Sequence, residues 1–248
     1  ILWFNIKFII CNIINMNICV DIGNTATKIG VFHNSELESF IRFEGHDVED
    51  IIKIISDTTA SHCIVSSTVH LSDDYKDKLM TLNGCYVHFF DFKTPIPVRN
   101  LYQSPQTMGM DRLAAVIGAY DLKPNNDILI IDAGTAITFD ILNSSGEYLG
   151  GNISPGLEMR FKALHEYTSL LPLVSDYSVK SEVGVDTISA IQNGVINGVK
   201  YEIKGVIESF VSKYPQLLIF LTGGNDFDFD TRIKKRIFVD KYLVLRGL

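Results

Sequence analysis

Asp21 and Asp132 stand 111 positions apart, and each opens the same local pattern. DIGNTATKIGVF runs from Asp21 to Phe32, and DAGTAITFDIL runs from Asp132 to Leu142. The apolar leads NICVD (Asn17 to Asp21) and ILIID (Ile128 to Asp132) enter them. An apolar run that ends in Asp, a small-residue turn and a second apolar run read as strand, tight turn and returning strand, with a carboxylate at the mouth. Gly, Asn and Thr in such a turn let backbone N–H groups approach an oxyanion, and the hydroxyls add donors. A carboxylate beside phosphates needs a cation to screen it, so each Asp implies a bound metal. One copy is explained as well by an ordinary hairpin. Two copies in the same context point to a nucleotide held by two duplicated halves.

At this point the chain resembles the superfamily of actin-like ATPases and acetate and sugar kinases, which carries a duplicated Asp-Gly turn. The fold that the resemblance implies is α/β, with two duplicated ribonuclease-H-like (actin-like ATPase) halves and ATP bound in the cleft between them. Further segments narrow it. YQSPQTMGMDRLAA (Tyr102 to Ala115) resembles the Tyr-x-x-Pro, Gly-x-Asp-Arg segment of type III pantothenate kinases. GEYLGGNISPGLEMRFKAL (Gly146 to Leu164), Leu171-Pro172, GVDT (Gly184 to Thr187) and LTGGND (Leu221 to Asp226) follow in that family's order and spacing. The resemblance runs from Met16 to the C-terminus. Family members begin near Met16, so Ile1 to Asn15 reads as a non-native upstream segment, and the ending YLVLRGL reads as clipped. The expected halves are 16–115 and 116–248.

The 248 residues, 46% hydrophobic and 21% charged, suffice for one large or two small domains with a substantial core. A net charge of −7 argues against a general nucleic-acid binder, so an anionic substrate must meet local cations. Cys11, Cys19, Cys63 and Cys85 show neither C-x-x-C nor zinc spacing and read as reduced thiols of a cytoplasmic protein. The apolar N-terminal stretch is too short and too interrupted by Lys7 and Asn for a membrane span, and it lacks the basic region and cleavage site of a signal peptide. No membrane partner and no nucleic-acid partner is expected.

Along the first half, Leu37 to Phe43 reads as a third strand. Asp47 to Asp57 reads as a helix capped by Asp47, with apolar Val48, Ile51, Ile52 and Ile55 at helical spacing. His62 to Ser67 is a buried strand, Ser72 to Met80 a helix capped by Ser72, and Cys85 to Phe90 a strand. The prolines between Thr94 and Gln106 predict a loop. Met110 to Leu122 is a small-residue helix linking the halves. Pro155 to Tyr167 is a helix opened by its proline, about Asp186 to Lys213 a long helix, and Leu217 to Leu221 a strand ending at a Gly-Gly turn.

There is no G-x-x-x-x-G-K-[ST] and no protein-kinase residue set, so the Asp-Gly turns must hold the phosphates. We assign ATP to Asp21, Ile22, Gly23, Asn24, Thr25, Ala26, Thr27 and Lys28 in the first turn and to Gly134 and Thr135 in the second. Lys28 reads as a charge partner or as a solvated lysine. Asp21 would hold Mg²⁺ through water. The resemblance implies that Asp132 coordinates a monovalent cation, K⁺ or NH₄⁺. It also implies pantothenate as substrate, with Tyr102, Gly109, Met110, Asp111, Arg112 and Thr187 around it. Asp111, just before a helix, suits a base for the substrate's primary hydroxyl, and suits a helix N-cap as well. Arg112 offers a two-pronged donor for a carboxylate. Arg160 and Lys162 could face phosphate or a partner subunit, and read more readily as a solvated helix face. Gly194 and Gly198 mark close helix packing, and the resemblance implies a homodimer. The activity implied is ATP-dependent phosphorylation of pantothenate to 4′-phosphopantothenate, the first step of coenzyme A biosynthesis. The alternatives are another small-alcohol kinase of the superfamily and a nucleotide-binding regulatory protein.

Overall fold

The computed structural model of the chain describes residues 16–58, 60–178, 182–224 and 236–248. The segment 1–15, read above as upstream sequence, lies outside them, as do Cys11 and the last two residues of LTGGND. Two compact units emerge. The first takes the chain up to Val98, then Tyr102–Leu122 and Tyr242–Leu248; the second takes Arg99–Leu101 and Lys123–Lys241. The helix expected to link the halves therefore belongs whole to the first unit, and the last residues return to it.

The first unit opens with three strands, β1 (Met16–Ile22), β2 (Ala26–His33) and β3 (Glu36–Glu44), hydrogen-bonded antiparallel in sequence order. Helix α1 (Val48–Ser56) leads to β4 (His62–Ser67), and α2 (Asp73–Met80) leads to β5 (Tyr86–Phe89). β4 pairs parallel to β1, and β5 parallel to β4, so the sheet order is β3-β2-β1-β4-β5. Local sequence sets these bounds. Asp47 and Ser72 cap α1 and α2 by accepting from the backbone N–H of Glu49 and Tyr75. Ile51 and Ile55, one helical turn apart, are buried with Ile18, Val20 and Ile29 of the strands.

The Pro-containing stretch is no helix, as expected, yet it carries β6 (Arg99–Asn100) and a 3₁₀ turn at Pro105–Thr107. Helix α3 (Met110–Leu122) follows, and α6 (Leu243–Gly247) packs on it. A Cβ on Gly118 or Gly247 would run into the backbone of the facing helix, so the glycines permit the close approach.

The second unit repeats the plan. β7 (Ile128–Ala133), β8 (Ala136–Leu142) and β9 (Glu147–Pro155) are antiparallel in sequence order. β10 (Leu218–Gly223) pairs parallel to β7, and β11 (Ile237–Val239) parallel to β10. The order β11-β10-β7-β8-β9 matches the first unit, and β6 is added beside β9. This is the duplicated ribonuclease-H-like arrangement that the resemblance implies. Helix α4 (Leu157–Glu166) and the 27-residue α5 (Thr187–Lys213) cover the sheet, burying Phe161, Val199, Ile203 and Ile207 against Leu129, Ile131 and Ile219.

Two local expectations change. Pro155 does not open α4: it ends β9, and Gly156 takes the N-cap position. A Cβ at Gly194 or Gly198 would meet nothing within 4 Å, so neither glycine makes a close helix contact among the described residues. No helix among the described residues is long and apolar enough to cross a membrane. Cys19 and Cys63 are buried free thiols, and burial pushes the Cys19 thiol up to about 12.

Candidate functional site

In the first unit, β1 ends at Asp21-Ile22 and the chain reverses through Gly23, Asn24 and Thr25 into β2. Gly23 N–H donates to the Ala26 carbonyl at 3.0 Å and closes the turn. Asn24 and Thr25 are exposed at its tip, while the side chains of Ile22, Ala26 and Thr27 are buried. Thr27 gives its hydroxyl to the Gly45 carbonyl at 2.7 Å. Any contact to a ligand from these three positions is therefore a backbone contact.

Asp21 is 4% exposed. Lys28, its register partner on β2, brings Nζ to 3.6 Å from Oδ2. The other oxygen, Oδ1, is buried and has no hydrogen-bond partner among the described residues. Ser66, the register partner of Asp21 on the opposite side, has a buried hydroxyl that likewise lacks one. Burial pushes the Asp21 carboxyl up from 3.8 to about 6; Lys28 pulls it down, and the charge of Asp111 pushes it up again. Buried polar atoms left without partners are costly, and a site that keeps two of them side by side fits water or an ion. Mg²⁺ takes oxygen ligands and keeps several waters. The oxygen-only pair Asp21 and Ser66 fits that chemistry. No group of three or more His, Cys, Asp or Glu converges among the described residues.

Asp111 is the second residue of α3, so the N-cap alternative does not describe it; the first helical hydrogen bond runs from Leu113 N–H back to the Gly109 carbonyl. Its Oδ1 accepts from Arg112 N–H at 2.8 Å. A Cβ built on Gly109 would stand 2.5 Å from that same Oδ1. The glycine of Gly-x-Asp-Arg thus makes room for the carboxylate. Arg112 is not the solvated helix residue its type suggests, being only 5% exposed. Its guanidinium carbon lies 5.5 Å from the centre of the Tyr102 ring, in cation–π contact. Met110 is half-buried beside them. The first unit therefore joins Asp21, Lys28 and Asp111 electrostatically, and Tyr102 and Arg112 by contact.

The second unit repeats the hairpin with a shorter turn, Gly134 N–H donating to the Ala136 carbonyl at 3.0 Å. Asp132, half-buried, is the next-to-last residue of β7, with Thr138 on β8 and Thr222 on β10 as register partners. Thr138 stands where the first hairpin has Lys28, so the second carboxylate has a neutral residue opposite. Thr135 is exposed at the tip. Gly156 N–H donates to the Thr135 carbonyl at 3.1 Å, which seats the start of α4 behind the turn. Thr187 is the exposed first residue of α5, fixed by the reciprocal cap between Asp186 and Ser189.

Sequence reasoning did not single out Ser66, because its neighbour Asp21 lies on another strand and parallel pairing leaves no local mark. The Ser66-Ser67 pair ending an apolar strand is the only trace. Arg160 does not lie free on a solvated helix face: its guanidinium is held by Ser154, Pro155 and Glu202.

The family profile for type III pantothenate kinase matches residues 17–209. The type III pantothenate kinase of Phocaeicola vulgatus is 44% identical over 233 residues, covering 94% of this chain and 96% of that protein. The type III pantothenate kinase of Porphyromonas gingivalis is 38% identical over 237 residues, covering 94% of this chain and 96% of that one. Among solved structures, a protein of Campylobacter jejuni described as a Baf family transcriptional activator superposes with a TM-score of 0.57 at 22% identity, covering 93% of this chain and 94% of that chain. The ethanolamine utilization protein EutJ of Carboxydothermus hydrogenoformans gives 0.51 at 12% identity, covering 94% and 88%. At those identities the structural likeness speaks for the fold alone.

Proposed function

We propose a mechanism from one premise: the chain belongs to the type III pantothenate kinase family. It is an ATP-dependent kinase that phosphorylates pantothenate to 4′-phosphopantothenate, the first step of coenzyme A biosynthesis. Its residues divide the work of phosphoryl transfer, which is mostly positioning and charge neutralisation.

Asp111 accepts the proton of the pantothenate primary hydroxyl. A carboxylate is a far weaker base than an alkoxide, so the proton moves late, as the new oxygen–phosphorus bond forms. Arg112 receives the pantothenate carboxylate on its guanidinium fork, with Tyr102 as an aromatic wall and Thr187 as a hydroxyl donor. Gly109 and Met110 frame the base. The turn Gly23-Asn24-Thr25 gives N–H and hydroxyl donors to the nucleotide phosphates, Lys28 gives charge, and Gly134 and Thr135 do the same from the second hairpin. Asp21 and Ser66 would hold Mg²⁺ through water, and the bound ion would neutralise charge on the phosphates. Asp132 would hold a monovalent cation, K⁺ or NH₄⁺, supplying at the second turn the positive charge that Lys28 supplies at the first.

One observation carries this reading: the buried Asp21, with an unpartnered oxygen and a neighbouring lysine, lies within the field of Asp111. This supports reading Asp21 as part of a phosphate-side ion site and Asp111 as the base. A homodimer is also proposed, since Gly194 and Gly198 leave a stripe of α5 open to a neighbour. A cytoplasmic location suits the use of ATP. The test is coupled ADP release with ATP, Mg²⁺ and K⁺. Pantothenate should stimulate it, and stimulation by a different small alcohol with pantothenate inert would overturn the residue assignments around Arg112.

A further inference from the structure

Behind the second turn, Arg160 of α4 makes three side-chain connections at once. Its Nε donates to the Pro155 carbonyl at 2.8 Å and Nη2 to the Ser154 hydroxyl at 2.9 Å, while Nη2 also pairs with the Glu202 carboxylate. Ser154 and Pro155 are the last residues of β9, in register with Ile137 and Ala136 of β8. The next residue, Gly156, donates to the Thr135 carbonyl at 3.1 Å. A Cβ on Gly156 would stand 2.5 Å from the Gly134 carbonyl oxygen, so this backbone and the turn touch without slack. Glu202 sits on α5, where Val199 and Ile203 beside it are fully buried.

We propose that Arg160 is a positioning residue for nucleotide binding: its guanidinium fixes Ser154-Pro155-Gly156 to α5 and so holds the Gly134-Thr135 turn in the geometry that receives phosphate. This rests on the reading that the turn binds phosphate. The physical argument has two parts. A guanidinium is a planar fork, so three partners at one side chain define an orientation that a lysine ammonium does not reproduce. The Arg160 and Glu202 side chains are 23% and 28% exposed, and an ion pair that water still reaches contributes little to stability. Its effect should therefore appear in the aim of the turn rather than in the melting temperature, because backbone donors lose much of their effect when displaced by about 1 Å.

The experiment is steady-state kinetics and thermal melting of Arg160→Met, Arg160→Lys and Glu202→Gln, with Gly134→Ala as a control on the turn. A Cβ at Gly134 meets only ordinary contacts inside the protein, 3.6 Å from Asp132 Oδ1, so it obstructs a ligand rather than the fold. Arg160→Met should raise KM for ATP about tenfold, with KM for pantothenate changed less than about twofold and the melting temperature little changed. Arg160→Lys should not restore the ATP value, and Glu202→Gln should shift it the same way by a smaller factor. Normal ATP kinetics in Arg160→Met or, if that variant does not fold, in Glu202→Gln, with Gly134→Ala impaired, overturns the role of Arg160 and leaves the turn reading standing. Unimpaired Gly134→Ala overturns the turn reading itself. Equal loss for both substrates alongside a lowered melting temperature marks Arg160 as merely structural and also overturns the proposal.

Discussion

Lys28 Nζ stands 3.6 Å from one carboxylate oxygen of Asp21, while the other oxygen is buried and meets no hydrogen-bond partner among the described residues. The lysine thus satisfies only half of a carboxylate that burial has made expensive to ionise. That asymmetry has a measurable pH signature.

Burial, the first cause, pushes the Asp21 carboxyl of the folded protein from the ordinary 3.8 up to about 6. A raised carboxyl pKa means that the folded state binds more protons than the unfolded one between those values. Stability contributed through Asp21 therefore falls as pH rises from about 4 through 6 and is flat above. The shift corresponds to about 2–3 kcal/mol lost at neutral pH. Asp21→Asn should be more stable than the parent at pH 8, and no more stable at pH 4, in urea unfolding of the ligand-free protein. It should nevertheless lose most of its activity. A variant equally destabilised at both pH values would contradict the buried-carboxylate account.

Removing the lysine tests the same pair from the other side. Lys28 is the main influence lowering the Asp21 pKa. Lys28→Met should therefore move the acid limb of kcat/KM upward in pH, since that limb reports the free enzyme's essential groups. An unmoved limb, with activity lowered uniformly, would show that Asp21 ionisation does not govern it.

Asp111→Asn should lower kcat roughly 10²–10⁴-fold with KM values largely kept, the span expected for a lost general base. Asp111 is the second helical residue of α3, so the change costs no N-cap, and an amide oxygen can still accept from Arg112 N–H. Gly109→Ala should approach the same phenotype by displacing the carboxylate that a Cβ would crowd at 2.5 Å. Full turnover in either variant would move the base elsewhere.

Most of this arrangement was legible in the chain because its cues are local. The duplicated turns announced the halves, since an apolar lead, an Asp and a small-residue reversal fit within about a dozen neighbouring residues. Caps such as Asp47 and Ser72 were legible for the same reason. The misreadings are long-range. Pro155 looks like a helix opener, but pairing with Ala136 draws it into β9. Arg160 looks solvated until Glu202, 42 positions on, meets it. Ser66 gains meaning only through parallel pairing with Asp21, and Gly194 and Gly198 look like packing devices until the helix shows which face they are on.

Arg112 and Tyr102 should report on the acid group of pantothenate. Arg112→Ala should weaken pantothenate by about 1.5–3 kcal/mol, the range for a charge-assisted hydrogen bond, and a neutral pantothenate amide should lose its disadvantage against the acid. Arg112→Lys should not restore affinity, because the planar guanidinium over the Tyr102 ring is lost. Tyr102→Leu should weaken the acid more than the amide. Equal losses for acid and amide in Arg112→Ala would separate Arg112 from the carboxylate.

The second hairpin makes the last prediction. Asp132 faces Thr138 across its hairpin where Asp21 faces Lys28, so no lysine supplies positive charge at that register position. On the reading that this turn receives phosphate, a carboxylate near the end of a strand suits a cation drawn from solution. Activity should therefore rise on replacing tetramethylammonium with K⁺ at constant ionic strength, and NH₄⁺ should serve as well. Asp132→Asn should blunt that response while leaving KM for pantothenate within about twofold, on the reading that Arg112 meets the substrate's own carboxylate. If rates in tetramethylammonium and K⁺ are equal, the cation role falls, and Asp132 is left to act on the phosphates through bound Mg²⁺ and water.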